Sequence, residues 1–114
     1  MLLVAIGAVT IRHWIWTPEF VWRTRLSLRQ ARTDGDCLHA EVFPKNGLLF
    51  SMTQWRDGAA MKRYAASGAH AKVIHAARRI AYPRHFAHVW QDAIPSHDEA
   101  FTLWQAATPA PKRA

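Results

Sequence analysis

Residues 38–55 read Leu38-His39-Ala40-Glu41-Val42-Phe43-Pro44-Lys45-Asn46-Gly47-Leu48-Leu49-Phe50-Ser51-Met52-Thr53-Gln54-Trp55. Leu38, Ala40 and Val42 alternate with His39, Glu41 and Phe43, the period of a half-buried strand. After the turn, Phe50 and Met52 fall on one side, and Leu49, Ser51, Thr53 and Trp55 on the other. Asn46-Gly47 between two such runs signals a hairpin, because both central residues of the tight turn need positive φ. The fold has to be built around this antiparallel pair.

Upstream, Leu2–Ile11 is almost continuously apolar and too short for a helix, as a buried central strand would be. It has no positively charged start and no small-residue cleavage site, so it does not read as an export signal. It also falls well short of the ~20 residues that span a bilayer. Thr17-Pro18-Glu19 then supplies a threonine cap, a proline at the first helical position and an early acid. Phe20, Val21, Thr24, Leu28 and Ala31 share one face of the predicted helix, arginines fill most of the rest, and Asp34-Gly35 ends it.

Downstream, Asp57 is placed to cap a second helix carrying Ala60, Met61, Tyr64 and Ala65. Ser67-Gly68 interrupts it, the helical pattern resumes with Val73, Ile74, Ala77 and Ile80, and Pro83 stops it. A last strand is expected over about His85–Gln91. Ser96–Glu99 and Phe101–Trp104 carry no assignment, and His97-Asp98-Glu99 reads as a solvated polar loop. Thr108–Ala114, with two prolines, reads as a disordered tail. The expected organisation is one domain over residues 1–106 and a tail over 107–114.

The order strand, helix, strand, strand, helix, strand defines an α+β, ferredoxin-like βαββαβ fold, an antiparallel sheet with two helices on one face. Its other face needs a cover, and a second copy of the chain is the economical one. Six tryptophans in 114 residues point the same way, toward a partner surface or a roomy apolar pocket.

Fifteen Lys+Arg against eight Asp+Glu give a net charge of +7, which attracts anions without choosing among nucleic acid, membrane headgroups or an acidic ligand. The strand Leu48–Trp55 lacks the basic-Gly-aromatic pattern of RNA-binding sheets, so nucleic acid is not the expected partner. The single cysteine, Cys37, excludes an internal disulfide and a cysteine-cluster metal site, and a reducing cytoplasm suits it. His85 and His88 differ in strand parity and so cannot pair on one metal, and no other spacing reads as a metal motif. No phosphate loop or nucleophile signature occurs.

Two stretches carry a family likeness. One is Pro18-Glu19-Phe20 running to Leu28-Arg29-Gln30-Ala31-Arg32. The other is Thr53-Gln54-Trp55-Arg56-Asp57, then Ala60-Met61-x-x-Tyr64, then Ser67-Gly68-Ala69-His70. Together they resemble a bacterial group of the dimeric α/β-barrel superfamily, which includes the antibiotic-biosynthesis monooxygenases and, in its carotenoid branch, spheroidene monooxygenase. The likeness covers roughly residues 2–91. It implies a homodimer whose sheets face each other as a barrel, with a ligand cleft between sheet and helices. It implies no one reaction, since the same fold serves many chemistries.

Within that cleft His70, at the start of a fresh helical segment, is the expected acid–base group, with a structural pin as the other reading. Trp55, Met61 and Tyr64 are the expected pocket wall for a hydrophobic small molecule, or else ordinary core. Haem-degrading enzymes of this fold use an axial histidine late in the second helix. His75 lies near that place if one residue is inserted around Ser67-Gly68, though the accompanying helical tryptophan is replaced by Tyr64. The expected function is that of a monooxygenase-like protein without a cofactor that acts on or binds a hydrophobic small molecule. A non-enzymatic ligand-binding or structural homodimer is the alternative, and a haem-binding oxygenase-like protein, with haem on His75, is the third.

Overall fold

The computed structural model describes residues 1–66, 68 and 79–107. Strand β1 (Leu3–Ile11) leads through a 3-10 turn (Trp14–Trp16) into α1 (Thr17–Thr33). The hairpin β2 (Cys37–Lys45) and β3 (Leu48–Trp55) follows, then α2 (Gly58–Ala65), β4 (Ala81–Trp90) and α3 (His97–Ala106). The strands form one antiparallel sheet in the order β2-β3-β1-β4, the ferredoxin-like arrangement expected.

The hairpin turns on Asn46 and Gly47, at φ 50° and 78°, so the expected two-residue turn is present. Three local details differ from expectation. The turn Trp14–Trp16, capped by His13 Nδ1 accepting from the Ile15 amide at 3.2 Å, already runs into the helix, so Thr17 is its first residue rather than its cap. At the other end Asp34 leaves in an extended conformation, and Gly35 takes no left-handed cap. β4 begins at Ala81 rather than near His85. Pro83 falls inside it, opposite Val9 and beside a register shift, on an edge strand that tolerates a missing donor.

The larger difference concerns the sheet face turned away from α1 and α2. Val4, Ile6, Ala8, Phe43, Phe50, Met52 and Ala87 form one buried cluster there, and Ala100 and Trp104 of α3 close it. The chain covers its own second face, so burying that face calls for no second copy. The segment read as an unassigned polar loop starts the covering helix. Ser96 Oγ accepts from the Glu99 amide at 3.1 Å while Glu99 reaches back to the Ser96 amide, a complete capping box. Trp104 is then fixed by its indole N–H donating to His85 O at 2.9 Å, with the two rings stacked at 4.4 Å. His97 stacks on Phe43 at 3.8 Å, and Asp98 pairs with Lys45.

Candidate functional site

The floor of the candidate site is the helix-side face of three strands. Pairing puts Trp55, Leu3 and Trp90 in one row, Thr53, Ala5 and His88 in the next, and Ser51, Gly7 and Phe86 in the third. These rows run from a closed end under α2 to an open rim on β4.

At the closed end Asp57 caps α2 by accepting from the Ala60 amide at 2.8 Å, which aims Ala60, Met61 and Tyr64 back at the sheet. Trp55, Met61 and Tyr64 are therefore brought together, as the sequence placed them, in a cluster with Ala31, Leu28 and Cys37. Trp55 is fully buried, and its ring centroid lies 4.8 Å from that of Tyr64. The Tyr64 hydroxyl donates to Ser27 O at 3.0 Å and shares a 2.6 Å bond with Ser27 Oγ, tying α2 to α1. Burial raises the pKa of this phenol, so it stays a neutral donor. The Trp55 indole N–H, by contrast, is buried with no hydrogen-bond partner among the described residues.

Cys37 borders the same cluster. Burial raises its pKa and its Sγ–H donates to His39 O at 3.3 Å, so it is a protonated, inert thiol.

At the open rim, β4 turns Phe86, His88 and Trp90 toward the helix side. Phe86 and Trp90 are 50% and 54% exposed, and the Phe86 and His88 rings lie nearly parallel at 6.2 Å. His85 points to the opposite face, where its Nε2 lies 2.7 Å from Trp104 O, in keeping with the parity read from the sequence. Strand parity alone does not tell which strand is the sheet edge, so the sequence does not single out His88. His70 and His75 lie outside the described residues. Gly68, the nearest described residue before them, has positive φ and packs against Gln30.

A second cluster joins residues that the sequence places apart, on a strand and in a polar loop. Glu41 accepts from both His39 and His97, the latter at 2.6 Å, joining β2 to the start of α3. Its signal was the Ser96-x-x-Glu99 spacing, which turns His97 from a loop residue into a helix-start residue facing β2.

No group of three or more His, Cys, Asp or Glu among the described residues is arranged to hold a metal ion. The Trp55 and Tyr64 rings are in contact, and His75, the residue the haem alternative needs, lies outside the described residues.

No protein-family model and no curated protein matches the sequence. Solved structures do match the fold. A conserved protein from Methanosarcina mazei superposes with a TM-score of 0.71 at 8% identity, over 81% of this chain and 94% of its own. An antibiotic biosynthesis monooxygenase gives 0.65 at 20% identity, over 83% and 100%. SnoaB, a cofactor-independent oxygenase from Streptomyces nogalater, gives 0.66 at 11% identity, over 83% and 98%. The chain thus has the antibiotic-biosynthesis-monooxygenase-like α+β fold.

Proposed function

We propose that the protein is a monooxygenase-like enzyme that uses no cofactor and acts on a hydrophobic small molecule held between sheet and helices. The observation that carries this reading is the half-exposed row Phe86, His88 and Trp90. It is an aromatic strip with an imidazole in it, opening from the helix-side face of the sheet. Its fold likeness to SnoaB supports the same reading. Trp55, Met61 and Tyr64 would wall the closed end, and His70 would be the base.

The chemistry needs no bound group. An imidazole takes a proton from an acidified O–H or C–H of the substrate. The substrate anion passes one electron to dioxygen, the radical pair combines into a peroxide, and loss of water leaves a carbonyl. The substrate supplies every electron, one oxygen atom enters the product and the other leaves as water. An apolar surround keeps bulk water from the anion and the peroxide. The reading includes a homodimer, supported by the ten-residue edge strand β4, which leaves Tyr82, Phe86 and Trp90 half exposed.

Oxygen uptake by the purified protein, measured with a panel of electron-rich polycyclic phenols under labelled dioxygen, tests it. One labelled atom in the product, with turnover lost in His70→Ala while the fold is kept, is the expected result. Full activity in His70→Ala removes that residue from the role. A tightly held ligand that never consumes oxygen makes the protein a binding module instead.

A further inference from the structure

The outward face of α1 carries apolar side chains that nothing among the described residues covers. The inward face packs on the sheet through Phe20, Ser27 and Ala31. On the other side Trp14, Thr17, Pro18, Val21, Trp22 and Arg25 line an open groove of about 580 Å³. Trp14 is 77% exposed and Trp22 58%. Arg23, itself paired with Glu19 at 3.1 Å, lies over the Trp22 ring at 5.6 Å and holds that indole outward.

Pro18, Trp22, Arg25 and Arg29 follow one another three or four residues apart, with Leu26 four residues after Trp22 beside them, so they share a stripe that turns from aromatic to basic. Arg25 and Arg29 are exposed and have no ion pair among the described residues.

Three occupants compete for this face. An enclosed small-molecule site would bury most of its ligand, and this groove is too open to do so. A second copy docked through this stripe, with the twofold axis at its centre, would set Arg25 and Arg29 against their own images, like charge against like. An anionic surface meets neither objection. Indoles settle where an apolar body and a polar N–H are both served, and arginines reach past them to phosphates. No described helix is long and apolar enough to cross a membrane, so the contact would be superficial.

We propose that the outward face of α1 and its preceding turn form a docking surface for an anionic lipid bilayer, with Trp14 and Trp22 entering the headgroup layer and Arg25 and Arg29 pairing with lipid phosphates. The inference stands apart from the oxygenase reading and would survive its failure.

Sedimentation of the full-length protein with phosphatidylcholine vesicles, with and without phosphatidylglycerol, tests it. Binding is expected only with phosphatidylglycerol present, weakened by salt, with a blue shift of tryptophan emission. Arg25→Gln/Arg29→Gln should weaken it by roughly 30-fold, from about a fivefold effect per surface charge. Trp14→Ala/Trp22→Ala should abolish it. All four side chains are solvent-exposed, so circular dichroism should be unchanged in either variant. Failure to sediment with phosphatidylglycerol vesicles, or binding that both variants retain, overturns the proposal. So does loss of a self-association through the same tryptophans without any vesicle binding.

Discussion

Gly7 and Phe86 are partners across β1 and β4, and the Phe86 ring occupies the space a side chain at position 7 would need. A Cβ built on Gly7 would lie 2.4 Å from Phe86 Cε1. Gly7→Ala should therefore push the half-exposed ring aside rather than break the sheet. The expected cost is about 1 kcal/mol, the low end for overpacking, or a melting point lower by about 4 °C. Adding Phe86→Ala should recover most of the loss. Simple additivity of the two substitutions in thermal melts would show that they do not meet.

Trp55 and Trp104 form a matched pair. Both are buried, but among the described residues only Trp104 has an acceptor for its indole N–H. Trp104→Phe removes that bond and strands the His85 carbonyl, costing about 2–3 kcal/mol. Trp55→Phe removes an unsatisfied donor along with some volume, and these partly cancel, leaving about 1 kcal/mol. Trp55 is the more buried, so volume alone ranks the two the other way. Urea denaturation of both variants decides the order.

Glu41 has a lowered pKa although burial pushes it up, because hydrogen bonds from His39 and then His97 outweigh that push. A carboxyl held low in the folded state stabilises it above the ordinary carboxylate range, and that contribution is lost as pH falls through the folded value. Glu41→Gln should lose on the order of 1 kcal/mol at neutral pH, a modest figure for a partly exposed site. Its acid unfolding curve should also be flatter than that of the parent. Parallel acid limbs in the two proteins would refute the account.

Tyr64→Phe leaves Ser27 Oγ without its 2.6 Å partner in a buried site, at an expected cost of about 1–2 kcal/mol. Ser27→Ala should cost less in the Tyr64→Phe background than in the parent. Because burial raises the folded pKa of Tyr64, the parent also loses stability as pH rises above the ordinary tyrosine range, where the unfolded phenol ionises first. Tyr64→Phe should abolish that part of the alkaline limb, which a pH series of melts reads directly.

Much of this architecture was legible because its signals are local. The alternation on either side of Asn46-Gly47, the apolar run of β1 and the Asp57 cap each depend on a few neighbouring residues. They survive intact in the folded chain. Trp55, Met61 and Tyr64 were legible as a group for the same reason. The exposed row on β4 was not, because edge position follows from strand order, which no local pattern states. α3 was missed differently. Its capping box is local, but the polarity of His97-Asp98-Glu99 masked the spacing of Ser96 and Glu99. With α3 unseen, the tryptophan surplus could not be apportioned: Trp104 is buried by the chain itself, and Trp14, Trp22 and Trp90 remain on the surface.

The placement of α3 also sets an order of assembly. β1 is the first strand to be made, yet it lies in the interior of the sheet and cannot complete its pairing until β4, the last strand, is available. The apolar face formed by Val4, Ile6, Phe50 and Met52 then waits for the helix that follows. During synthesis this apolar face is thus hidden only after β4 has been made, and a ribosome stalled before Ser96 would present it to the cell.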